Sequence, residues 1–279
     1  MTSYSFKSYA KLNLSLFVGE PVDHFHPIRS IFCQIDLFDE CTLKRSSSSS
    51  NSVTFLNQDI SKNNTCTKVF ESMVPYSKKM WDLSIKKHIP LGSGLGGGSS
   101  NAAALMRSLN AIEGLNLAPG AMNKMAFSVG SDTPYFLTGG FCDVSGRGDV
   151  VHALTNQPPL CFVLLMPRIE CSSKSVYECL DTRGKFDDLN SIKSHEMMPI
   201  GYNRLAEPAF HLHPDLLLLK QKAGAISSKP VYLSGSGSTL YIVTNTTREQ
   251  EEIYQQLSGA SLPCNVLKCR SIDGTEGRT

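Results

Sequence analysis

The sequence predicts a mixed α+β fold divided into two domains. Residues 9–18 alternate apolar and polar side chains, which is the period of a half-buried strand. A glycine-rich stretch over 90–100 runs into an alanine-rich segment that has high helix propensity. Two prolines at 158–159 interrupt the chain, and strand and helix patterns start again after them. Since 279 residues suffice for two domains, we expect an N-terminal domain over 1–155 and a C-terminal domain over 156–279.

Alternating apolar residues predict three strands in the first domain. After the strand over 9–18, a second one runs over 28–45, and a third precedes the glycines, where Trp81, Leu83 and Ile85 alternate with polar residues. A run of serines over 46–50 is interpreted as a loose hairpin tip, because serine runs are usually flexible surface. The remaining predicted elements are a helix over 101–110, a short helix over 123–129 and a strand over 141–144.

An unbroken apolar run marks the start of the second domain. Residues 160–166 contain no charged side chain, which is typical of a strand buried on both faces of a sheet. The second domain is predicted to have further strands over 231–233 and 240–243, and helices over 203–212, 214–222 and 249–257.

Composition indicates a soluble globular protein and excludes several function classes. The 27 basic and 25 acidic residues leave a net charge of +2, which argues against a dedicated nucleic-acid binder. The nine cysteines are scattered without a Cys-x-x-Cys pair, so we expect reduced thiols rather than a zinc site or a disulfide framework. The sequence shows neither a signal-peptide core nor an apolar run of about 20 residues. We therefore expect a cytoplasmic protein with no membrane partner.

The glycine-rich stretch is the most informative part of the sequence. Five glycines lie between residues 92 and 98, a strand-like segment precedes them, and Ser99, Ser100 and Asn101 open a helix. Glycine lets the backbone turn sharply and approach a ligand closely, and a helix start directs unpaired N–H groups and a positive dipole end at one point. We therefore expect a phosphate held by the backbone N–H groups of residues 94–100. The alternative is a glycine-rich turn without a ligand.

Two common phosphate-binding motifs do not fit this stretch. The nucleoside-triphosphatase loop ends in Gly-Lys-Ser/Thr, and here no lysine follows the glycines. The dinucleotide-binding fingerprint needs a third glycine at a spacing that this stretch lacks. The basic residues that precede the loop are interpreted as a solvated strand edge; these are Lys86, Lys87 and His88.

The loop instead resembles the phosphate-binding signature of the galactokinase, homoserine kinase, mevalonate kinase and phosphomevalonate kinase (GHMP) superfamily. Pro90, Gly94, Leu95, Gly96, Gly97, Gly98, Ser99, Ser100, Ala102 and Ala103 fit that signature. The resemblance implies a two-domain fold, with a ribosomal protein S5-like N-terminal domain, a ferredoxin-like α/β C-terminal domain and the active site in the cleft between them. It also implies ATP and Mg²⁺ as cofactors, with Ser100 as a hydroxyl ligand of the metal. The nucleotide would contact Pro90, Gly92, Gly94, Leu95, Gly96, Gly97, Gly98, Ser99, Ser100 and Asn101.

Three further segments match the superfamily in the expected order. They contain Lys11 with Asn13, then Asp132, then Gly235 with Ser236. Taken singly, each has an ordinary interpretation: a solvated lysine, a helix cap and a tight turn. The resemblance implies that Asp132 is the general base and Lys11 its partner. Phosphoryl transfer suits these residue types, because it needs an oriented hydroxyl and neutralised phosphate charge.

Three motifs narrow the resemblance within the superfamily: Gly96-Gly-Gly-Ser-Ser-Asn-Ala102, Ala10-Lys-Leu-Asn-Leu14 and Gly130-Ser-Asp-Thr-Pro134. They look like those of the 4-diphosphocytidyl-2-C-methyl-D-erythritol kinases, which phosphorylate a cytidine-diphosphate-linked polyol in isoprenoid precursor synthesis. The usual Asp-Gly-Tyr-His of that family stands here as Asp23-His-Phe-His26. The resemblance implies that Phe25 and Tyr177 sandwich cytosine while His26 hydrogen-bonds it; the alternative for both rings is ordinary packing. It places Asn13, Gly235 and Ser236 at the same small-molecule substrate.

Two other functions stay open at this point. One is a kinase of the same superfamily that acts on mevalonate, homoserine or a sugar. The other is a catalytically silent member that binds a ligand as a sensor or regulatory subunit. Lys11 and Asp132 favour an enzyme, and an obligate protein partner is not inferred.

Overall fold

A computed structural model describes residues 2–195 and 198–274, and two β-sheets organise the chain. The first sheet has the order β3-β4-β2-β5-β6, with β1 paired along the other side of β2. All of its pairs are antiparallel except β3 with β4. Its strands are β1 (Ser3–Val18), β2 (Ile28–Arg45), β3 (Ser52–Phe55), β4 (Trp81–Lys86), β5 (Phe141–Gly146) and β6 (Val150–Ala153).

Four helices accompany the first sheet in the N-terminal half of the chain. Apolar side chains of the strands and helices form one buried cluster, in which Leu43 and Leu83 of the sheet meet Val69, Leu105 and Leu109 of the helices. The polar start of the second helix is not part of this cluster, which the helix first joins at Ala102. The helices are α1 (Thr65–Met73), α2 (Gly97–Ile112), α3 (Pro119–Val129) and α4 (Thr133–Thr138).

The second sheet is antiparallel throughout and has the order β10-β7-β9-β8. Its strands are β7 (Cys161–Pro167), β8 (Tyr232–Leu233), β9 (Leu240–Thr244) and β10 (Cys264–Arg270). Residues 162–167 are buried, which confirms the predicted strand with two covered faces. The helices of this half are α5 (Ser173–Arg183), α6 (Ala206–Leu212), α7 (Pro214–Ser227) and α8 (Thr247–Gly259).

Strand β1 links the two sheets. Its residues 8–16 are buried on both faces, so the expected half-buried strand was wrong. Leu12 and Leu14 share one core cluster with Phe162 of the second sheet, and the Tyr241 hydroxyl donates to the Asn13 carbonyl at 3.0 Å. The predicted boundary at 155 falls between β6 and β7, and the division into two domains stays a prediction.

Several local predictions were wrong or incomplete. Strand β3 pairs in parallel with β4 instead of folding back on β2, so the serine run is not a hairpin tip. Helix α1 was missed, although Asn64 caps it by accepting from the N–H groups of Cys66 and Thr67. The short helix expected over 123–129 begins earlier, at Pro119, which occupies the first turn of α3, where its missing N–H costs nothing.

None of the helices among the described residues has both the length and the apolar character needed to cross a bilayer. The nine cysteines stand as thiols. The fold therefore relies on its packed clusters, and on polar contacts between β1, the glycine loop and the second sheet, to hold the two sheets together.

Candidate active site

A cavity of about 700 Å³ lies between the two sheets. Its walls come from β1, the glycine loop with the start of α2, the Asp132 loop, a turn that follows β1, the start of α5 and the loop between β8 and β9. The predicted site residues among its lining are Lys11, Asn13, Phe25, His26, Pro90, Gly92, Gly94, Gly96, Gly97, Gly98, Ser99, Asp132, Tyr177, Gly235 and Ser236.

The glycine loop presents the start of α2 to this cavity. Gly96 is the N-cap residue and has a left-handed backbone with φ of 70°, so no side chain caps the first N–H groups. Gly94 also has a positive φ, and a Cβ there would lie 2.1 Å from the carbonyl oxygen of Ser234. The loop therefore keeps a bare helix start facing the cavity, which is the geometry that binds an anion.

Three of the predicted nucleotide contacts point away from the cavity. Leu95 is buried in the core, and its carbonyl accepts the Lys11 N–H at 3.0 Å. The Ser100 hydroxyl donates to the Tyr9 carbonyl at 2.6 Å and accepts from the Ser8 hydroxyl at 2.8 Å. These contacts anchor the loop to β1, and they give no support to Ser100 as a metal ligand. The cavity-lining hydroxyl at the start of α2 belongs instead to Ser99.

Asn101 is the third of these residues. Its amide donates to the Ser8 hydroxyl at 2.8 Å and to Asp39 Oδ2 at 2.9 Å, while its oxygen accepts from Lys87 at 3.0 Å. All of the partners are buried protein groups. Asn101 therefore fixes the helix start to β1 and β2 rather than meeting a ligand directly.

Lys11 and Asp132 meet in the cavity as the resemblance implied. The Lys11 ammonium lies 3.4 Å from Asp132 Oδ2 and 2.5 Å from Asn13 Oδ1. The β1 pairing is irregular between Tyr9 and Lys11, which frees the Lys11 N–H for the glycine loop. The Lys11 side chain is buried, whereas the Asp132 side chain is 31 % exposed. The carboxylate is thus oriented by a fixed cation and remains accessible from the cavity.

Ser234 joins the three motifs. Its hydroxyl donates to the Gly94 carbonyl at 3.1 Å and accepts the Asn13 N–H at 3.2 Å. The next residue, Gly235, packs closely enough that a Cβ would lie 3.1 Å from Asn13 Oδ1. Ser236 then exchanges a hydrogen bond of 2.8 Å with Ser173 at the start of α5. The loop between β8 and β9 therefore closes the cavity from the second sheet.

Aromatic rings also line the cavity. Tyr177 stacks on His26 with ring centroids 5.1 Å apart. Phe186 also stacks on His26, with ring centroids 5.6 Å apart. Both His26 ring nitrogens face protein oxygens, the Gly19 carbonyl at 3.1 Å and Asp181 Oδ1 at 2.9 Å. Burial, and secondly the negative charge of Asp132, raise the pKa of the Tyr177 phenol well above its usual value.

Phe25 lies apart from this stack, on a tight turn whose central residues, Asp23 and His24, have left-handed backbones. Val22 and Phe25 exchange both backbone hydrogen bonds across the turn, at 2.7 and 3.0 Å. The Phe25 ring is exposed, and the guanidinium of Arg147 lies 3.3 Å above its centroid. Sequence reasoning missed Arg147, because it comes from the turn between β5 and β6, far away in the chain.

The expected solvated edge before the loop was wrong for its central residue. Lys86 and His88 are exposed, but Lys87 is buried and forms an ion pair with buried Asp39. The alternation of Trp81, Leu83 and Ile85 continues to residue 87, so the strand period could have placed this lysine on the covered face. Lys87 thus puts a buried positive charge beneath the first turn of α2, where a Cβ on Gly97 would lie 3.1 Å from its nitrogen.

Comparison with known proteins gives consistent matches. The GHMP kinases N terminal domain family matches residues 64–140. The 4-diphosphocytidyl-2-C-methyl-D-erythritol kinase of Prosthecochloris aestuarii is 30% identical, over 92% of this chain and 95% of that protein. The Fervidobacterium nodosum protein of the same name is 34% identical, over 84% of this chain and 88% of its own length.

Solved structures share the fold. A 4-(cytidine 5'-diphospho)-2C-methyl-D-erythritol kinase superposes with a TM-score of 0.79 at 23% identity, covering 96% of this chain and 99% of that one. Homoserine kinase from Cytophaga hutchinsonii gives a TM-score of 0.69 at 17% identity, with 97% and 96% covered. Mevalonate kinase from L. major gives 0.68 at 15% identity, with 98% and 97% covered. The arrangement of two sheets around one cleft is therefore the GHMP kinase fold.

We predict that Lys87→Met destabilises the protein by about 3–5 kcal/mol, because it leaves the buried Asp39 carboxylate without its cation. Lys86→Met is the matched control, since its exposed pair with Glu40 is worth only about 0–1 kcal/mol. Denaturant unfolding of both variants measures the difference. Equal stabilities would show that the buried pair does not hold the loop.

Proposed function

Because the chain belongs to the 4-diphosphocytidyl-2-C-methyl-D-erythritol kinase family of the GHMP kinases, we propose that it transfers a phosphoryl group from ATP to a hydroxyl of 4-diphosphocytidyl-2-C-methyl-D-erythritol. This reaction belongs to the methylerythritol phosphate route to isoprenoid precursors. The observation that carries the proposal is the Lys11–Asp132 pair, 3.4 Å apart, in the same cavity as the uncapped start of α2. One cavity thus offers an anion-binding helix start and a carboxylate for the acceptor.

The start of α2 fits the phosphates of ATP. Backbone N–H groups from Gly96 to Ser99 line the cavity and have no capping side chain. Among residues 2–195 and 198–274, no group of three or more His, Cys, Asp and Glu side chains forms a metal cage. Magnesium, if bound, would supply neutralisation of phosphate charge, and the Ser99 hydroxyl is the cavity-lining side chain at the start of α2 that would hold it.

Asp132 and Lys11 supply the acid–base part of this proposal. Asp132 accepts the proton of the acceptor hydroxyl as that oxygen attacks the γ-phosphorus. The Lys11 ammonium orients the carboxylate and counters charge on the transferring group, while Asn13 fixes the position of Lys11. The bond to the leaving phosphate oxygen breaks as the new one forms, and adenosine diphosphate is released.

Phe25 and Tyr177 are proposed to bind the cytosine base. Both line the cavity. His26 stacks with Tyr177 and Phe186, and its Nε2 lies 2.9 Å from Oδ1 of the half-exposed Asp181. A hydrogen bond from Nε2 to the base therefore requires that this contact with Asp181 opens. Gly235 and Ser236 close this side of the cavity from the second sheet.

A panel of acceptors tests this function. We expect turnover of the cytidine-linked erythritol with ATP, and little or none of mevalonate, homoserine or a sugar. Cytidine diphosphate should compete with the acceptor and not with ATP, because the proposed cytosine contacts, Phe25 and Tyr177, are not part of the glycine loop proposed for ATP. Equal turnover of mevalonate or homoserine would leave only the superfamily assignment, and ligand binding without turnover of any acceptor would favour a catalytically silent member.

We predict that Asp132→Asn lowers kcat by about 10²–10⁴-fold, because the amide cannot accept the acceptor proton. The ATP dissociation constant should stay close to that of the wild type, since the residue faces the acceptor. Asp215→Asn removes the same charge at the start of α7, outside the cavity, and should leave kcat unchanged. Steady-state kinetics decide, and near-normal kcat in the first variant would exclude Asp132 as the base.

We predict that Gly98→Val weakens ATP binding about tenfold or more without lowering the melting temperature. A Cβ at Gly98 meets only Thr65, at 3.5 Å, so the fold accommodates it while the side chain fills the phosphate side of the cavity. Gly120→Val in α3 is the control, because a Cβ there meets nothing within 4 Å and lies outside the cavity. Nucleotide titration beside a thermal melt measures both effects; unchanged ATP affinity in the first variant would place the phosphates elsewhere.

A further inference from the structure

Arg147 occupies a place in the cavity that the proposed reaction has not yet used. It lies in the turn between β5 and β6, where its N–H donates to Asp149 Oδ1 at 2.8 Å. The next residue, Gly148, packs so closely on the Asp132 loop that a Cβ would lie 2.5 Å from the Ser131 carbonyl. The guanidinium extends from there to the Phe25 ring. Arg147 therefore spans the wall between the general base and the proposed base-binding end.

Among the described residues, Arg147 forms no ion pair, unlike the lysines that line the cavity. Lys11 lies within 4 Å of Asp132, Lys87 of Asp39, and Lys174 of Glu178. Within the described ranges, Arg147 has neither an ion pair nor a side-chain hydrogen bond, and its contacts are with the rings of Phe25 and Phe127. Stacking uses the flat face of a guanidinium and leaves the N–H groups along its edge able to donate.

The proposed acceptor would bring a diphosphate to this place. If its reacting hydroxyl lies at Asp132 and its cytosine at Phe25 and Tyr177, the diphosphate that joins them lies between these points, beside Arg147. A diphosphate brought near the Asp132 carboxylate without a counter-charge is disfavoured in a partly desolvated cavity. Arginine matches phosphate oxygens with two parallel N–H donors.

We propose that Arg147 is a specificity-determining residue that binds the diphosphate of the acceptor, with Phe25 as the platform that holds its guanidinium. This inference rests on the proposed function. It concerns binding only, and the phosphoryl-transfer step does not pass through Arg147. It also assigns Phe25 two roles, since one ring face carries the guanidinium and the base must approach from elsewhere on the ring.

Arg147→Met tests the inference, because methionine keeps an unbranched apolar stem on the Phe25 ring and removes the charged fork. Calorimetric titration with cytidine diphosphate should show a loss of affinity of about ten- to a hundredfold. Titration with cytidine, which has no phosphate, should change by less than about threefold. Arg147→Lys, which keeps the charge and loses the fork, should fall between the wild type and Arg147→Met.

A matched control is Arg45→Met, because Arg45 also lies over a ring, that of Trp81, at 5.6 Å and outside the cavity. It should bind both ligands like the wild type. In turnover, Arg147→Met should raise KM for the cytidine-linked acceptor and leave KM for ATP unchanged.

Two results would overturn the inference alone. An equal loss for cytidine and cytidine diphosphate would mean that Arg147 acts only by positioning Phe25. If the wild type phosphorylates the acceptor and Arg147→Met binds cytidine diphosphate with unchanged affinity, the diphosphate lies elsewhere. If the wild type binds neither ligand, the proposed function fails together with this inference.

Discussion

The buried carboxylate of Asp39 fixes the glycine loop on which the rest of the site depends. One of its oxygens accepts the backbone N–H groups of His88 and Ile89 at 2.7 and 2.8 Å, and the other accepts from Lys87 and Asn101. Four donors compensate the cost of burying the charge, which a lone carboxylate could not meet. Three of these donors directly follow β4, and the fourth, Asn101, lies near the start of α2. The carboxylate therefore holds both ends of the loop against β2. The bare helix start is thereby aimed at the cavity without any side chain that would compete with an anion.

The acceptor half of the site depends on a second constraint, the passage of β1 between the two sheets. Irregular pairing at Lys11 releases its N–H to Leu95 of the loop, and Ser234 ties the neighbouring Asn13 to Gly94. The lysine is therefore placed by backbone contacts before it meets Asp132 at 3.4 Å. Such fixed placement matters for phosphoryl transfer, where positioning and electrostatics supply most of the rate.

Local pattern was enough to predict the strand over 28–45 and the glycine-rich turn into α2. The expected strand has the same bounds as β2, because the alternation of apolar side chains is a local property of the sequence. Helix α5 was missed since only Val176 and Leu180 of it are buried, too few for a helical period. The burial of Lys87 could have been inferred from the strand period. The inward contacts of Ser100 and the approach of Arg147 to Phe25 follow instead from tertiary packing, which no single segment records. The roles of the site residues rest on resemblance and stay predictions.

The turn that carries Phe25 departs at two positions, 24 and 25, from the Asp-Gly-Tyr-His motif of the kinases that this chain resembles. His24 stands where the pattern has glycine, and it keeps the left-handed backbone, with φ of 65°, that glycine adopts without strain. The side chains that face the cavity from this turn are those of His24 and Phe25. Phe25 presents no hydroxyl there, and the guanidinium of Arg147 covers its ring. The Lys11–Asp132 pair, 3.4 Å apart, is intact beside these departures, so they bear on the proposed binding of the acceptor and not on the proposed transfer step.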